Sequence, residues 1–170
     1  MWKGKNVTVF VTGGIAAFKA ATLVRLFVKA GANVEVAMTK SACEFITPLT
    51  FQVLTKNKVH TDTFDEDEAS KVQHIHLADK TDVAVVVPAT ANTIAKMANG
   101  IADNFVTSTL LATTAPIYVA PAMNEHMWEN PATVRNVAQL KADGKVIIEP
   151  ATGFLAEGYN GKGRLPEPEE

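Results

Sequence analysis

Val83-Ala84-Val85-Val86-Val87 is an unbroken apolar run that stops at Pro88-Ala89-Thr90-Ala91-Asn92-Thr93. A strand with one wet face alternates apolar and polar side chains, whereas a strand covered on both faces is apolar throughout. The run therefore reads as a central parallel strand, and the small and polar residues after it open a helix over 92–99. Toward the N-terminus, residues 7–13 form another β-branched run, ending on Gly13-Gly14 and followed by a helical pattern over 15–30. Leu23, Leu26, Phe27 and Ala30 share one face of that helix, and Gly31 stands where a C-cap belongs. A second strand is predicted over 34–39, and 40–54 reads as mostly helical with a break at Thr47-Pro48. A short strand is predicted at Val59-His60-Thr61, then an exposed acidic loop from Asp65 to Ser70. Toward the C-terminus come a helix over 104–112, strands over 116–120 and 145–148, and a helix over 131–142 between them. Alternating strands and helices define an α/β three-layer sandwich with a central parallel sheet. Ligands of such sheets bind beyond the carboxyl ends of the strands, where the chain order reverses.

Composition narrows the function classes. The 170 residues amount to a single domain. Lys plus Arg (16) nearly balances Asp plus Glu (18), which gives no electrostatic reason to expect nucleic acid or an anionic membrane surface. Apolar runs are broken within about eight residues, far short of the roughly 20 that span a bilayer. The N-terminus lacks the apolar core and cleavage site of a leader. The sole cysteine, Cys43, excludes an intramolecular disulfide and a Cys-rich zinc site, and reads as a small buried hydrophobe in a helix. These features fit a cytoplasmic protein. Pro166-Glu167-Pro168-Glu169-Glu170 reads as a linker or tail, with room for a further domain beyond it.

The chemistry-bearing residues follow strands. Gly13-Gly14-Ile15 lets backbone N–H groups approach a phosphate or ring at a helix start, although a plain strand-to-helix turn needs the same residues. Neither GxGxxG nor GxxxxGK[ST] is present. The second strand ends in Met38-Thr39-Lys40-Ser41, without the acidic residue that grips a dinucleotide ribose. Hydroxyls at that tip suit the phosphate or ribityl chain of a mononucleotide. Thr90 and Asn92 each read singly as an N-cap, but the density of polar groups there points to a ligand. Pro121-Ala122-Met123-Asn124-Glu125-His126-Met127-Trp128 mixes polar and large apolar side chains after a buried strand, as a pocket rim does. Asn124 supplies a neutral donor for a carboxylate. His74 and His76 form an i, i+2 pair, a metal half-site if extended, but nothing completes a metal set, so no metal is expected. One of the two is read as a surface residue and one as a proton acceptor near pH 7.

Together these segments resemble the flavin-dependent cysteine decarboxylases, in particular those acting on 4′-phosphopantothenoylcysteine. The likeness rests on GGIAAFK at 13–19, His74-Ile75-His76-Leu77, PATANT at 88–93 and PAMNEHMW at 121–128. GYNGKGRLPEP at 158–168 resembles the family's substrate flap, about 152–168, and the similarity runs from Val7 to Pro168. The resemblance implies a flavodoxin-like fold that binds FMN, in a homotrimer or a dodecamer with the flavin at a subunit interface. It implies oxidation of the substrate's cysteinyl side chain to a thioaldehyde, loss of CO2, and return of hydride to the enethiol, giving 4′-phosphopantetheine of coenzyme A biosynthesis. By motif, His74 assists the oxidation as a base and Asn124 holds the substrate carboxylate. Gly13, Gly14, Ile15, Thr39, Thr90, Ala91, Asn92, Thr93 and Ala122 contact FMN, and Met127, Lys162 and Arg164 serve the substrate.

The chain departs from the family pattern at one place. Relatives carry a cysteine just before the flap glycine, as ACG, which protonates the enethiol. Here the segment is Leu155-Ala156-Glu157-Gly158. Glu157 is assigned as the acid, flap closure favouring its protonated form. Water or Tyr159 as donor, or a reaction that stops at the enethiol, are the alternatives. Within the same fold, a peptidyl-cysteine decarboxylase or flavin prenyltransferase competes with this reading, and the flap's GKGRLPEP with Lys162 and Arg164 counts against both. A non-catalytic flavin-binding regulatory subunit is the third alternative; such relatives carry acidic extensions, where this chain has only Glu167, Glu169 and Glu170.

Overall fold

The computed structural model describes residues 1–65, 69 and 71–170. Its central sheet joins β1 (Asn6–Val11), β2 (Asn33–Met38), β3 (Val83–Ala89), β4 (Ile117–Pro121) and β5 (Val146–Ile147). All pairings are parallel, in the order β2-β1-β3-β4-β5. β1 leads outward to β2 while β3 and β4 build the other way, so the order reverses between β1 and β3.

Period-two alternation sends side chains to the two faces. Val7, Val9, Val11, Val85 and Val87 pack with Ala17, Ala20 and Val24 of α1 (Ala17–Lys29) and Phe51 of α2 (Pro48–Thr55). Phe10, Ala84 and Val86 face the opposite layer. That layer comprises α3 (Gln73–Lys80), α4 (Ala91–Asn99), α5 (Phe105–Ala112) and α7 (Pro131–Ala142), which contribute Leu77, Ile94, Phe105, Leu110 and Leu140. The short α6 (Glu125–Glu129) follows β4. Its asparagine start is the run read above as a pocket rim. Among the described residues, no helix is long and apolar enough to cross a membrane.

Two sequence expectations change, at Val59-His60-Thr61 and at Cys43, and the conditional reading of the histidine pair is decided. Val59-His60-Thr61 makes no strand: a single bridge joins His60 to Ala37 at the edge of β2. Asp62 then caps a turn, accepting from Phe64 N–H at 2.9 Å, which takes the chain off the sheet edge. His74 and His76 lie on helix α3 and not on a strand, because His74, Leu77 and Ala78 recur at helical spacing toward the core. At i, i+2 on a helix the two imidazoles diverge, and among the described residues no cluster suits a metal. Cys43 sits half-buried in a single 3-10 turn (Ala42–Glu44), where burial pushes its thiol up and Glu44 adds to the shift. Of the acidic loop from Asp65 to Ser70, residues 66–68 and 70 lie outside the described residues.

The C-terminal segment is an antiparallel hairpin of β6 (Ala151–Phe154) and β7 (Asn160–Arg164). It is pinned at its base. Gly163, at φ 143°, accepts the Met123 N–H at 2.9 Å, and a Cβ there would collide with the Met123 carbonyl oxygen. Glu125 Oε1 accepts the Lys162 N–H at 3.2 Å. Lys19, buried on α1, donates to the Leu165 carbonyl at 2.8 Å and to Glu167 at 3.2 Å. Its ammonium is thus paired and hydrogen-bonded, as a buried charge requires.

Candidate active site

The strand tips converge on the carboxyl edge of the sheet. Gly13, Gly14 and Ile15 follow β1, Thr39 follows β2, Thr90 to Thr93 follow β3, and Ala122 follows β4. One hydroxyl ties the switch point together. Thr12 Oγ1 donates to the Pro88 carbonyl at 2.5 Å and accepts the Thr90 N–H at 3.0 Å. Pro88 has no N–H for the ladder, and the β3–β4 register shifts between Val86 and Ala89. Thr90 caps α4, accepting from Thr93 N–H at 3.2 Å, and Thr39 accepts the Ala42 N–H at 3.1 Å. Thr93 and Thr39 are buried, while Asn92 and Ile15 are exposed.

The glycine pair shows what the edge has room for. A Cβ on Gly13 would collide with Ser41. On Gly14 it would meet only Pro88 Cγ and Thr90 Cγ2, both at 3.9 Å, an ordinary contact distance. The N-cap residue of α1, Ala16, makes no side-chain cap; the Ala17 and Lys19 N–H groups donate instead to the Gly14 and Ala16 carbonyls, at 3.0 and 2.9 Å. This cradle, flanked by threonines and lacking an acidic tip, fits a mononucleotide phosphate or ribityl chain. A cavity of about 760 Å³ lies elsewhere, on the α1 face beside Trp2, Phe27, Val85 and Tyr118.

His74 stands in the first turn of α3. Its Nδ1 is buried with no hydrogen-bond partner among the described residues, an arrangement that natural structures rarely tolerate without a use. Its ring meets Phe105 edge-on at 6.3 Å, and Phe105 stacks on His60 at 4.9 Å. His60 Nε2 lies 3.1 Å from Glu35, whose other oxygen pairs with Lys80. Burial raises the Glu35 carboxyl, but His60 and Lys80 outweigh it and hold the group below its ordinary value.

Asn124 joins the pocket rim to the flap. Its Oδ1 caps α6 by accepting the His126 N–H at 2.8 Å, which fixes which end of the amide faces the flap. Its Nδ2 then donates to Glu157 Oε1 and to the Tyr159 hydroxyl, each at 2.5 Å. Met127 is exposed on α6. Lys162 and Arg164 pair instead with carboxylates of their own chain, Glu149 at 3.4 Å and Glu167 at 3.0 Å. Burial raises Glu149, and Lys141 and Lys162 outweigh it; Lys19 is the main cause holding Glu167 low. Thr12, Lys19 and Glu125 were not singled out from sequence. Lys19 had a signal, falling among apolar residues on the inner face of α1; Glu125 had none.

The chain belongs to the flavoprotein family, whose model, described as Flavoprotein, matches residues 1–170. Within it, the chain is 56% identical over 169 residues to the coenzyme A biosynthesis bifunctional protein CoaBC of Bacillus subtilis, covering 99% of this chain and 42% of that protein. It is 46% identical over 165 residues to a probable phosphopantothenoylcysteine decarboxylase of Streptococcus mutans, covering 96% of this chain and 92% of that one. The solved structure of a PPC decarboxylase mutant complexed with pantothenoylaminoethenethiol superposes with a TM-score of 0.87 at 33% identity, over 98% of this chain and 93% of that chain. The chain spans about two fifths of the length of its bifunctional relatives.

Proposed function

We propose that this chain catalyses FMN-dependent oxidative decarboxylation of 4′-phosphopantothenoylcysteine to 4′-phosphopantetheine, a step of coenzyme A biosynthesis. The observation that carries the reading is Asn124. Its amide, fixed at the pocket rim next to the strand-tip cradle, already holds a carboxylate, that of Glu157, at 2.5 Å.

Gly13, Gly14, Ile15, Thr39, Thr90 to Thr93 and Ala122 hold FMN at the switch point. When bound, FMN supplies the two-electron oxidation of the cysteinyl side chain and the hydride returned after CO2 has left. His74 takes a proton during the oxidation, its buried Nδ1 having no partner among the described residues. Asn124 orients the substrate carboxylate. A neutral amide does this without stabilising the ground-state charge as a lysine pair would. Glu157 gives the last proton, in the place where relatives carry a cysteine. Lys162 and Arg164 reach an anionic substrate once their present carboxylate partners release them, and Met127 borders it.

The assembly we propose is a homotrimer or dodecamer in the cytoplasm, with no nucleic-acid or membrane partner. Ile15, Phe18, Phe45, Leu49 and Val53 leave apolar side chains exposed on or beside α1 and α2, which favours a second copy against the cradle. Anaerobic turnover tests the reaction. Many equivalents of 4′-phosphopantetheine per flavin are expected; a single equivalent of an enethiol product would mean that the reaction stops there. A colourless protein that takes up no FMN would favour a non-flavin role.

A further inference from the structure

We propose that Glu157 is a built-in occupant of the carboxylate subsite: the flap rests with its own carboxylate on Asn124, and a substrate carboxylate binds only by displacing it. This rests on the reading that Asn124 holds the substrate carboxylate. An amide nitrogen carries two hydrogens. On Asn124 both are used, one by Glu157 Oε1 and one by the Tyr159 hydroxyl. The amide is held from turning over because its oxygen receives the His126 N–H. In this arrangement Asn124 has no donor left for a ligand.

The flap is built so that only its tip need move. Its base is held by the Gly163 carbonyl on Met123, the Lys162 amide on Glu125, and Lys19 on the Leu165 carbonyl. Leu155 and Leu165 are buried. Between Leu155 and Asn160, by contrast, Ala156, Glu157, Gly158 and Tyr159 are exposed, and the turn bonds link Gly158 N–H to Leu155 and Leu155 N–H to Tyr159. Gly158, at φ 95°, has no described neighbour beyond its own chain neighbours within 4 Å of where a Cβ would sit, so no packing holds the turn there. Displacement of Glu157 therefore breaks contacts at Asn124 and leaves the anchors intact. Loss of CO2 removes the competing carboxylate and lets the tip return, which couples decarboxylation to re-closure.

The test is calorimetric binding to the FMN-loaded protein, with two ligands that cannot be oxidised because they lack the thiol. 4′-Phosphopantothenoylalanine keeps the carboxylate; the matching N-ethyl amide lacks it. Glu157→Ala is expected to tighten the alanine ligand by about three- to tenfold, the range of one exposed hydrogen bond, and to leave the ethyl amide unchanged. Glu157→Gln, which keeps an acceptor but no charge, is expected to fall between wild type and Glu157→Ala. Equal responses of the two ligands to Glu157→Ala, or weaker binding of the alanine ligand, would overturn the proposal. Asn124→Ala separates the two readings: it should weaken the alanine ligand selectively. If it does and Glu157→Ala has no selective effect, the latch fails alone; if Asn124→Ala is not selective, the carboxylate assignment itself fails.

Discussion

The strand-tip cradle and the flap hold their polar groups in opposite ways. Around the cradle, a threonine hydroxyl ties two strand ends through backbone atoms, and Gly13 lies so close to Ser41 that a Cβ there would collide. Around the flap, the decisive contacts join exposed side chains, Glu157 and Tyr159, to one amide. Groups held by backbone keep one geometry through a catalytic cycle. Exposed side-chain contacts exchange with ligands at a cost of about 1 kcal/mol each. On the function proposed above, the backbone-held cradle is the cofactor side and the flap the exchangeable substrate side.

Substitutions that separate the two sides test that contrast. His74→Asn is expected to cost about 10²- to 10⁴-fold in turnover, the usual contribution of a positioned base, while the flavin absorbance of the purified protein stays. Loss of flavin together with activity would place His74 on the cofactor side. Asn124→Asp sets an anion against both the substrate carboxylate and Glu157. Like charges in contact cost several kcal/mol, so CO2 release should fall by about 10²-fold or more. Near-normal release from this variant would remove Asn124 from carboxylate binding.

Two glycines give a smaller but cleaner contrast. Gly13→Ala must push Ser41 aside, and overpacking of this kind costs about 1–3 kcal/mol. Weaker FMN binding by titration and a lower melting temperature are expected. Gly158→Ala meets no described neighbour and strains only a positive φ, at about 1–2 kcal/mol, so FMN affinity should be unchanged while substrate KM moves. Equal FMN loss in both would erase the distinction between cradle and flap.

The smallest effect concerns the buttress beneath His74. The Glu35 carboxyl is held low by His60 and Lys80 against the opposing effect of burial. The folded state therefore binds that proton less readily than the unfolded chain. Its stabilisation is full above the ordinary value of 4.5 and is lost as pH falls through the lower folded value. Glu35→Gln should cost about 1 kcal/mol at pH 7 in urea denaturation, with the difference from wild type shrinking in acid.

The parts of this architecture that obey local rules were legible in the sequence. Val83 to Val87 announced a strand covered on both faces, and Thr90 announced a helix start; both follow from near neighbours. The paired histidines had no element assigned from the sequence, for the opposite reason. His-Ile-His-Leu alternates like a strand, but Leu77 and Ala78 have a core to fill only at helical spacing from His74. His60 carried a strand-forming valine beside it yet makes one bridge, because the turn at Asp62 draws the chain away. Asn124, Glu157 and Tyr159 were each singled out, but their meeting was not legible, since the partners lie 33 and 35 residues apart and meet through the docking of Gly163. Lys19 as the flap's anchor was hidden likewise, 146 residues from the carbonyl it holds.

CO2 release by the FMN-loaded protein from carboxyl-labelled 4′-phosphopantothenoylcysteine, set beside a peptide ending in cysteine, tests the account most directly. Release from the phosphopantothenoyl compound with little from the peptide is the predicted result. Equal or preferred release from the peptide, or none from either with flavin bound, would contradict it.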